Sequence, residues 1–299
     1  MAKPFVVVMT VGRGVLIGLA EIVPGVSGGT VALIVGVYRA LIAGAAGVVR
    51  AGVALVARRS GAVKTELAAV SWWVVIPVVA GMFLGIVMGA ALLEPIIGAY
   101  PLQTRATFAG LILASLWVPA RMVGRWDGRA YLLAGLSALV MFFLSGIPAL
   151  SSSTPELWMV APAAAIAVCA LVLPGVSGSF LLVTLGMYEP TLRAVNQQDL
   201  VYLSVFILGA IIGLALFVRV LQFLLDKAPG ATLAVMTGLM AGSLRALWPW
   251  QGEGRELLVV GESAVSTFVA GGVGVTIVAL LLLGERLWQP RVNPPNLRL

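Results

Sequence analysis

A helix-breaking segment set in the middle of an apolar run constrains this chain more than anything else in it, because the segment occurs twice. Pro24, Gly25, Val26, Ser27 and Gly28, followed by Gly29 and Thr30, recur as Pro174, Gly175, Val176, Ser177 and Gly178, followed by Ser179. Within a bilayer, backbone that leaves the helix is tolerated only where protein or a water-filled cavity satisfies its N–H and C=O groups. Two such breaks at corresponding positions point to two related halves with a binding site between them.

Composition places the breaks in a membrane. Hydrophobic residues make up 61% of the 299 residues and charged residues 10%, with a mean hydropathy of +1.07. That leaves too little polar surface to cover a soluble globule. Apolar stretches cover 5–23, 31–49, 72–93, 106–119, 131–150, 157–173, 180–188, 201–218, 232–248 and 263–283. Several reach the roughly 20 residues that a spanning helix needs. The net charge of +7 sits in connecting segments and forms no basic stripe, so nucleic-acid binding is not expected. The chain has no histidine and one cysteine, Cys169, which removes the usual general base, a His-assisted nucleophile and thiolate metal clusters. Neither a metal nor another cofactor is expected, and the chain reads as a non-enzyme. Residues 1–23 carry a weak basic start at Lys3 and no small-residue cleavage site, and are read as a retained segment.

The duplication extends beyond the breaks. At an offset of 150, Gly36 and Tyr38 match Gly186 and Tyr188. At an offset of 128, Gly81, Gly85, Pro101, Thr104, Gly110, Leu111 and Ser115 match Gly209, Gly213, Pro229, Thr232, Gly238, Leu239 and Ser243. The change of offset places 22 extra residues in the first connector, 39–70. Each half then holds a broken element and three spans, an odd number of crossings, so the halves are expected to be inverted with respect to each other. The expected architecture is all-α and polytopic. It has a first repeat over 1–150, a second over 151–285 and a tail over 286–299, in one integral membrane domain.

Charge distribution agrees with both termini lying in the cytoplasm. Arg39, Arg50, Arg58, Arg59, Lys64, Arg121, Arg129, Arg219, Lys227, Arg286, Arg291 and Arg298 fall on inside segments, whereas the outside segments are richer in acid, with Glu94, Glu156, Glu189, Asp199, Glu253, Glu256 and Glu262. Tryptophans near segment ends, among them Trp72, Trp126, Trp158, Trp248 and Trp250, read as interfacial anchors, and Gly81, Gly85, Gly209 and Gly213 as faces for close helix packing.

The breaks carry the expected chemistry. A helix start with bare amides and adjacent hydroxyls favours an anion. The candidate anion site is Gly25, Ser27, Gly28, Gly29 and Thr30 from the first break and Gly175, Ser177, Gly178 and Ser179 from the second. Arg13 and Glu21 stand in the otherwise apolar run before the first break, and ionisable residues at such depth default to function. Arg13 is assigned to neutralising the anion and Glu21 to coupling transport to protons.

These residues resemble the bacterial polyprenyl-phosphate transporters, a family once grouped under a domain of unknown function. The resemblance is carried by Ala20 to Thr30 with Gly36, Val37 and Tyr38, by Gly110 to Leu116, and by Pro174 to Ser179 with Gly186, Met187 and Tyr188. It implies a lipid substrate, undecaprenyl phosphate, returned across the cytoplasmic (inner) membrane for reuse in cell-envelope synthesis. Family members tend to carry an acidic residue after the Tyr; Glu189 fits, and Arg39 stands there in the first repeat. A secondary carrier of a small soluble anion is the alternative reading. The oligomeric state, homo-oligomer included, stays open.

Overall fold

The computed structural model describes residues 4–22, 27–148, 155–252 and 254–288. Among them every extended element is a helix, and strand pairing is confined to an isolated bridge between Gln251 and Leu257. In chain order the helices are α1 (Pro4–Ile22), α2 (Gly28–Ile34), α3 (Tyr38–Val56), α4 (Ser60–Ala69), α5 (Trp72–Ala99), α6 (Pro101–Ser115), α7 (Trp117–Met122) and α8 (Gly128–Leu144). There follow α9 (Leu157–Val172), α10 (Gly178–Thr184), α11 (Tyr188–Asn196), α12 (Leu200–Lys227), α13 (Pro229–Ser243), a 3-10 turn (Leu244–Leu247) and α14 (Ala264–Trp288).

Four stretches are long and apolar enough to cross a membrane: Tyr38–Val56, Trp72–Gly89, Leu200–Lys227 and Pro229–Leu247. Their outer faces carry large apolar side chains that water would penalise, such as Phe83 at 71% exposed and Leu216 at 63%. The protein is a multi-pass membrane protein.

Two apolar stretches turn out to be interrupted. Residues 31–49 and 180–188 each divide at a glycine, Gly36 (φ +74°) and Gly186 (φ +69°). At the first, Val37 N–H donates to Ala32 O at 3.0 Å and Gly36 N–H to Leu33 O at 3.3 Å; at the second, Met187 N–H donates to Leu182 O at 2.8 Å and Gly186 N–H to Val183 O at 3.1 Å. These paired bonds around a left-handed residue are a Schellman stop, and they explain the Gly-x-Tyr that trails each break. The charged connector 39–70 is helical through α3 and α4. Arg50 on α3 pairs with Glu66 on α4 at 2.7 Å and donates to Gln222 on α12 at 3.0 Å. The 22-residue surplus is thus a longer helix followed by a second one, where the other half has only the nine residues of α11.

Packing repeats with the same offsets as the sequence. α1 lies on α5, and α9 on α12. A methyl group at Gly81 would strike Val11 O and one at Gly85 would strike Val15 O; at Gly209 and Gly213 it would strike Ala161 and Ala165. The glycines thus mark close crossings, and a larger residue there would push the helices apart. The later helices are exchanged. α6 packs on α14, with Gly110 against Gly271 O, and α13 packs on α8, with Gly238 against Ala134 O. Each half therefore supplies the partner for the other half's central helix, and neither can be folded away from the other. The core holds Ala32, Leu33, Val78, Val218 and Met236, with a second cluster of Ala20, Ile112, Met240 and Leu247. The short helix α2, six of whose seven residues are buried, lies inside this packing.

Candidate functional site

Ser27 begins α2 from an extended conformation (φ −110°, ψ 122°), as an N-cap residue does, yet its hydroxyl makes no capping bond. It donates instead to Leu173 O, 146 residues away, at 3.0 Å. Two residues on, the Gly175 N–H donates to Thr30 Oγ1 at 2.9 Å. The Tyr38 hydroxyl donates to Val172 O at 3.0 Å. These three bonds join the start of α2 and the start of α3 to the end of α9 and the second break. Ser27 and Thr30 are 2% and 1% exposed. Buried hydroxyls and freed backbone groups thus satisfy one another, as the apolar setting demands.

Close approach makes the junction possible. A methyl on Gly29 would stand 3.1 Å from Val172 O and 3.3 Å from Leu171 O. Gly175 combines φ +85° with contact to the α13 backbone, where a methyl would lie 2.5 Å from the Met240 Cα, so glycine is required there twice over. Gly178 sits against Ala167 O in the same way.

The Thr30 N–H that a capping Ser27 would serve goes to Ser27 O at 3.0 Å, and the first amide of α2 is taken by Glu21. Gly28 N–H donates to Glu21 Oε1 at 3.0 Å, so the carboxylate at the end of α1 folds over the first turn of α2. In the second break the serine caps locally: Ser177 Oγ accepts from Phe180 N–H at 3.4 Å and pairs with Ser179 Oγ at 3.0 Å. The structure therefore brings Glu21, Ser27, Gly28, Gly29, Thr30 and Gly175 into one junction, with Ser177, Gly178 and Ser179 at its second-break side. Arg13 is half-buried on α1, about 12 Å along the axis before Glu21 at 1.5 Å per residue. Gly25 lies outside the described residues.

Two arginines that the residue pattern marks only as connector charge, or not at all, are bound at the end of α8, and one of them also reaches the helix after the second break. Arg255 Nη1 donates to Thr184 Oγ1 and to Ile147 O, both at 2.9 Å, and its guanidinium lies 4.5 Å from the Phe180 ring centroid. Burial against these groups pulls its pKa below the ordinary arginine value. Arg245 donates to Phe142 O at 3.2 Å and stacks 4.7 Å from the Phe142 ring. Arg245 thus grips the last turn of α8, whose carbonyls favour cations, and Arg255 ties the segment just after α8 to α10. Only a left-handed φ of +63° at Arg255 turns it this way, which no local motif signals. Trp250, expected as an interfacial anchor, is buried between Trp248 and Phe268. Among the described residues no group of His, Cys, Asp and Glu could hold a metal ion.

Helices long and apolar enough to cross a bilayer, packed around a buried polar junction, define an integral membrane protein. A family model described as VCA0040-like, undecaprenyl phosphate translocase-like, matches residues 17–264, and the chain belongs to that family. It is 35% identical over 243 residues to a polyprenyl-phosphate transporter of Vibrio cholerae serotype O1 (strain ATCC 39315 / El Tor Inaba N16961), covering 80% of this chain and 77% of the relative. No solved structure matches it significantly.

Proposed function

We propose that this protein translocates a polyprenyl phosphate, undecaprenyl phosphate in the bacterial inner membrane, returning the carrier lipid from the outer to the inner leaflet for reuse in envelope synthesis. The supporting observation is the junction of the two breaks: three side-chain to backbone bonds hold together two helix starts in a family of this name. The Ser27 and Tyr38 hydroxyls and the Gly28 and Gly175 amides are each held by a protein acceptor. A phosphate would take over those donors, the Ser27 hydroxyl from Leu173 O and the Gly175 amide from Thr30, with charge-assisted bonds about twice as strong as the neutral ones they replace. Substrate binding and opening of the junction are then one event. The reciprocal exchange of α8 and α14 fits two inverted halves that rock about this point, with both termini in the cytoplasm.

Glu21 supplies the coupling. Its carboxylate holds the Gly28 N–H, the same donor that a phosphate at the start of α2 would use. Two anions cannot share one amide, so the ionised Glu21 excludes the headgroup and the protonated one yields the amide to it. Proton and lipid phosphate thus enter together and leave together, with Arg13 offsetting the remaining headgroup charge.

The test is leaflet-resolved flipping of a polyprenyl phosphate by the purified full chain in proteoliposomes, with inorganic phosphate uptake measured in the same vesicles. Lipid flipping should be present and should fall in the Ser27→Ala, Ser177→Ala double variant, with little phosphate uptake. Uptake of inorganic phosphate without lipid flipping would replace this reading with a soluble-anion carrier. Unchanged flipping in the double variant would remove the phosphate site from the breaks.

A further inference from the structure

A cleft of about 590 Å³ opens on one flank of the second break, between α8, α9, α12 and α13. Its floor is Met141, Ala170, Val176 and Leu181, all buried, and its rim is Val140, Ile166, Leu216 and Val220, which are 62%, 48%, 63% and 54% exposed. The rim thus opens sideways, toward the lipid that must cover these helices. Every lining side chain is hydrocarbon except those of Met141 and Cys169, and the Cys169 thiol is turned onto Gly213 O at 3.6 Å. A water molecule held there needs two to four polar partners and would find almost none. The occupant must itself be apolar.

One end of the cleft fixes which apolar molecule that is. The lining runs along α9 from Ala165 to Leu173, about 12 Å at 1.5 Å per residue, and stops where Pro174 opens the second break. Leu173 faces both ways: its side chain lines the cleft, and its carbonyl accepts the Ser27 hydroxyl in the junction. Val176, from within the break, also lines the cleft. A molecule with an anionic head in the junction and a long run of apolar carbon attached to it would leave along this floor.

We infer that the cleft between α8, α9 and α12 is the track for the head-proximal isoprene units of the lipid, and that it sets the selection of a polyprenyl chain over ordinary acyl lipids. This rests on the translocation reading above. The length of the cleft takes only the first part of a long chain, and the open rim leaves the remainder in the bilayer while the head is carried. Gly213 and Ala165 keep α9 and α12 in close contact beneath it, and the Cys169 thiol bridges them there, so the floor is rigid and substitutions at the rim leave the helix crossing untouched.

The experiment uses the full chain in proteoliposomes and a polyprenyl phosphate carrying a diazirine on its head-proximal isoprene unit. Photolysis is expected to label peptides from α8, α9 and α12, and excess unlabelled polyprenyl phosphate should suppress this, whereas inorganic phosphate and phosphatidylglycerol should not. Ile166→Trp and Leu216→Trp, which fill the cleft from its exposed rim, should lower flipping of the long-chain lipid by about tenfold, the equivalent of roughly two displaced methylene groups. The same variants should slow geranyl phosphate to a comparable degree, since its two isoprene units are themselves head-proximal and lie on this track. Competable label elsewhere on the protein, with flipping intact in both tryptophan variants, would overturn the cleft assignment and leave translocation standing. Suppression by phosphatidylglycerol, or cross-links between two copies at this face, would give the cleft to bilayer lipid or to a second protomer and overturn it as well. Absence of flipping and of competable label together would overturn the translocation reading and the track with it.

Discussion

The two breaks share Pro-Gly-Val-Ser-Gly and use it in opposite ways. At the first, the hydroxyls look outward: Ser27 bonds to Leu173 O and Thr30 receives the Gly175 amide, while a carboxyl group from the preceding helix holds the Gly28 amide. At the second, Ser177 caps its own helix and pairs with Ser179, and the position equivalent to Thr30 is Phe180, stacked under Arg255. The residues that differ decide this. Leu171 stands where Glu21 does, so α9 carries no carboxylate ahead of the second break, and the local side-chain bond there runs from the Phe180 N–H to Ser177 Oγ rather than to the amide equivalent to Gly28. Duplication supplied two equal frames, and the residues that differ gave one of them a carboxyl group and outward-facing hydroxyls and the other a local serine cap.

The sharpest way to break this comparison is at Gly175, the second-break residue with no freedom to change. Gly175→Ala forces an L-residue into φ +85° and drives a methyl into the Met240 backbone, besides shifting the amide that Thr30 receives. A loss of about 3 kcal/mol or more is expected, enough to remove most folded protein. Yield and thermal unfolding in detergent measure it. An alanine variant as stable as wild type would mean the junction is not held at this point.

Next in size is the bond between the breaks itself. Thr30→Val keeps the shape and removes the acceptor, leaving the Gly175 N–H buried without a partner, at a cost of about 1–3 kcal/mol. Thr30→Ser should restore most of that stability because it returns the oxygen. If valine and serine behave alike, the bond between the breaks contributes nothing and packing alone joins them.

Much of this architecture is legible in the order of the residues. The breaks, the Gly-x-Tyr stops and the crossing glycines are local or strictly repeated, so their physics is written in residue type and spacing. Gly81 and Gly209 mark equivalent crossings, because the glycines repeat at an offset of 128 and the residues they meet, Val11 and Ala161, at an offset of 150. What joins the breaks is not legible there. That Ser27 bonds to Leu173 rather than capping α2 depends on how α9 ends against α2, a fact of tertiary packing across 146 positions. The exchange of α8 and α14 leaves no trace in the repeat either, since hydrophobic pattern says that a face is buried and not against which neighbour. The bounds of α3 and the existence of α4 are not legible because charged residues at 39, 50, 58 and 59 mark the stretch only as a connector, whereas Arg50 is absorbed by Glu66 and Gln222. Arg255 reaches α10 through an unusual backbone turn that composition cannot reveal.

Glu21 is where the comparison meets transport. Glu21→Leu makes the first break resemble the second at that position, strips the Gly28 amide of its partner and should cost about 1–3 kcal/mol. Glu21→Gln retains an oxygen for that amide and should change stability by no more than about 0.5 kcal/mol. Yet Gln has no proton to exchange, so flipping by this variant should no longer respond to an imposed proton gradient. Gradient-driven flipping that survives in Glu21→Gln would sever Glu21 from the coupling while leaving its capping role intact.

The smallest effects separate the two serines. Ser177→Ala removes a capping bond of 3.4 Å, a long one, and should cost about 0.5 kcal/mol, the low end for an N-cap. Ser27→Ala removes a 3.0 Å bond to Leu173 O between buried segments and should cost about 0.6–1 kcal/mol, the range for a hydrogen bond between membrane helices. The stability difference is slight, but the couplings should differ in kind. In a double-mutant cycle with Thr30→Val, Ser27→Ala should be non-additive, because both residues act on one junction. Ser177→Ala, which acts inside its own helix, should be additive with Thr30→Val. Equal coupling for both serines would mean that the junction is symmetric after all, and that the exchange of Glu21 for Leu171 did not divide the labour between the breaks.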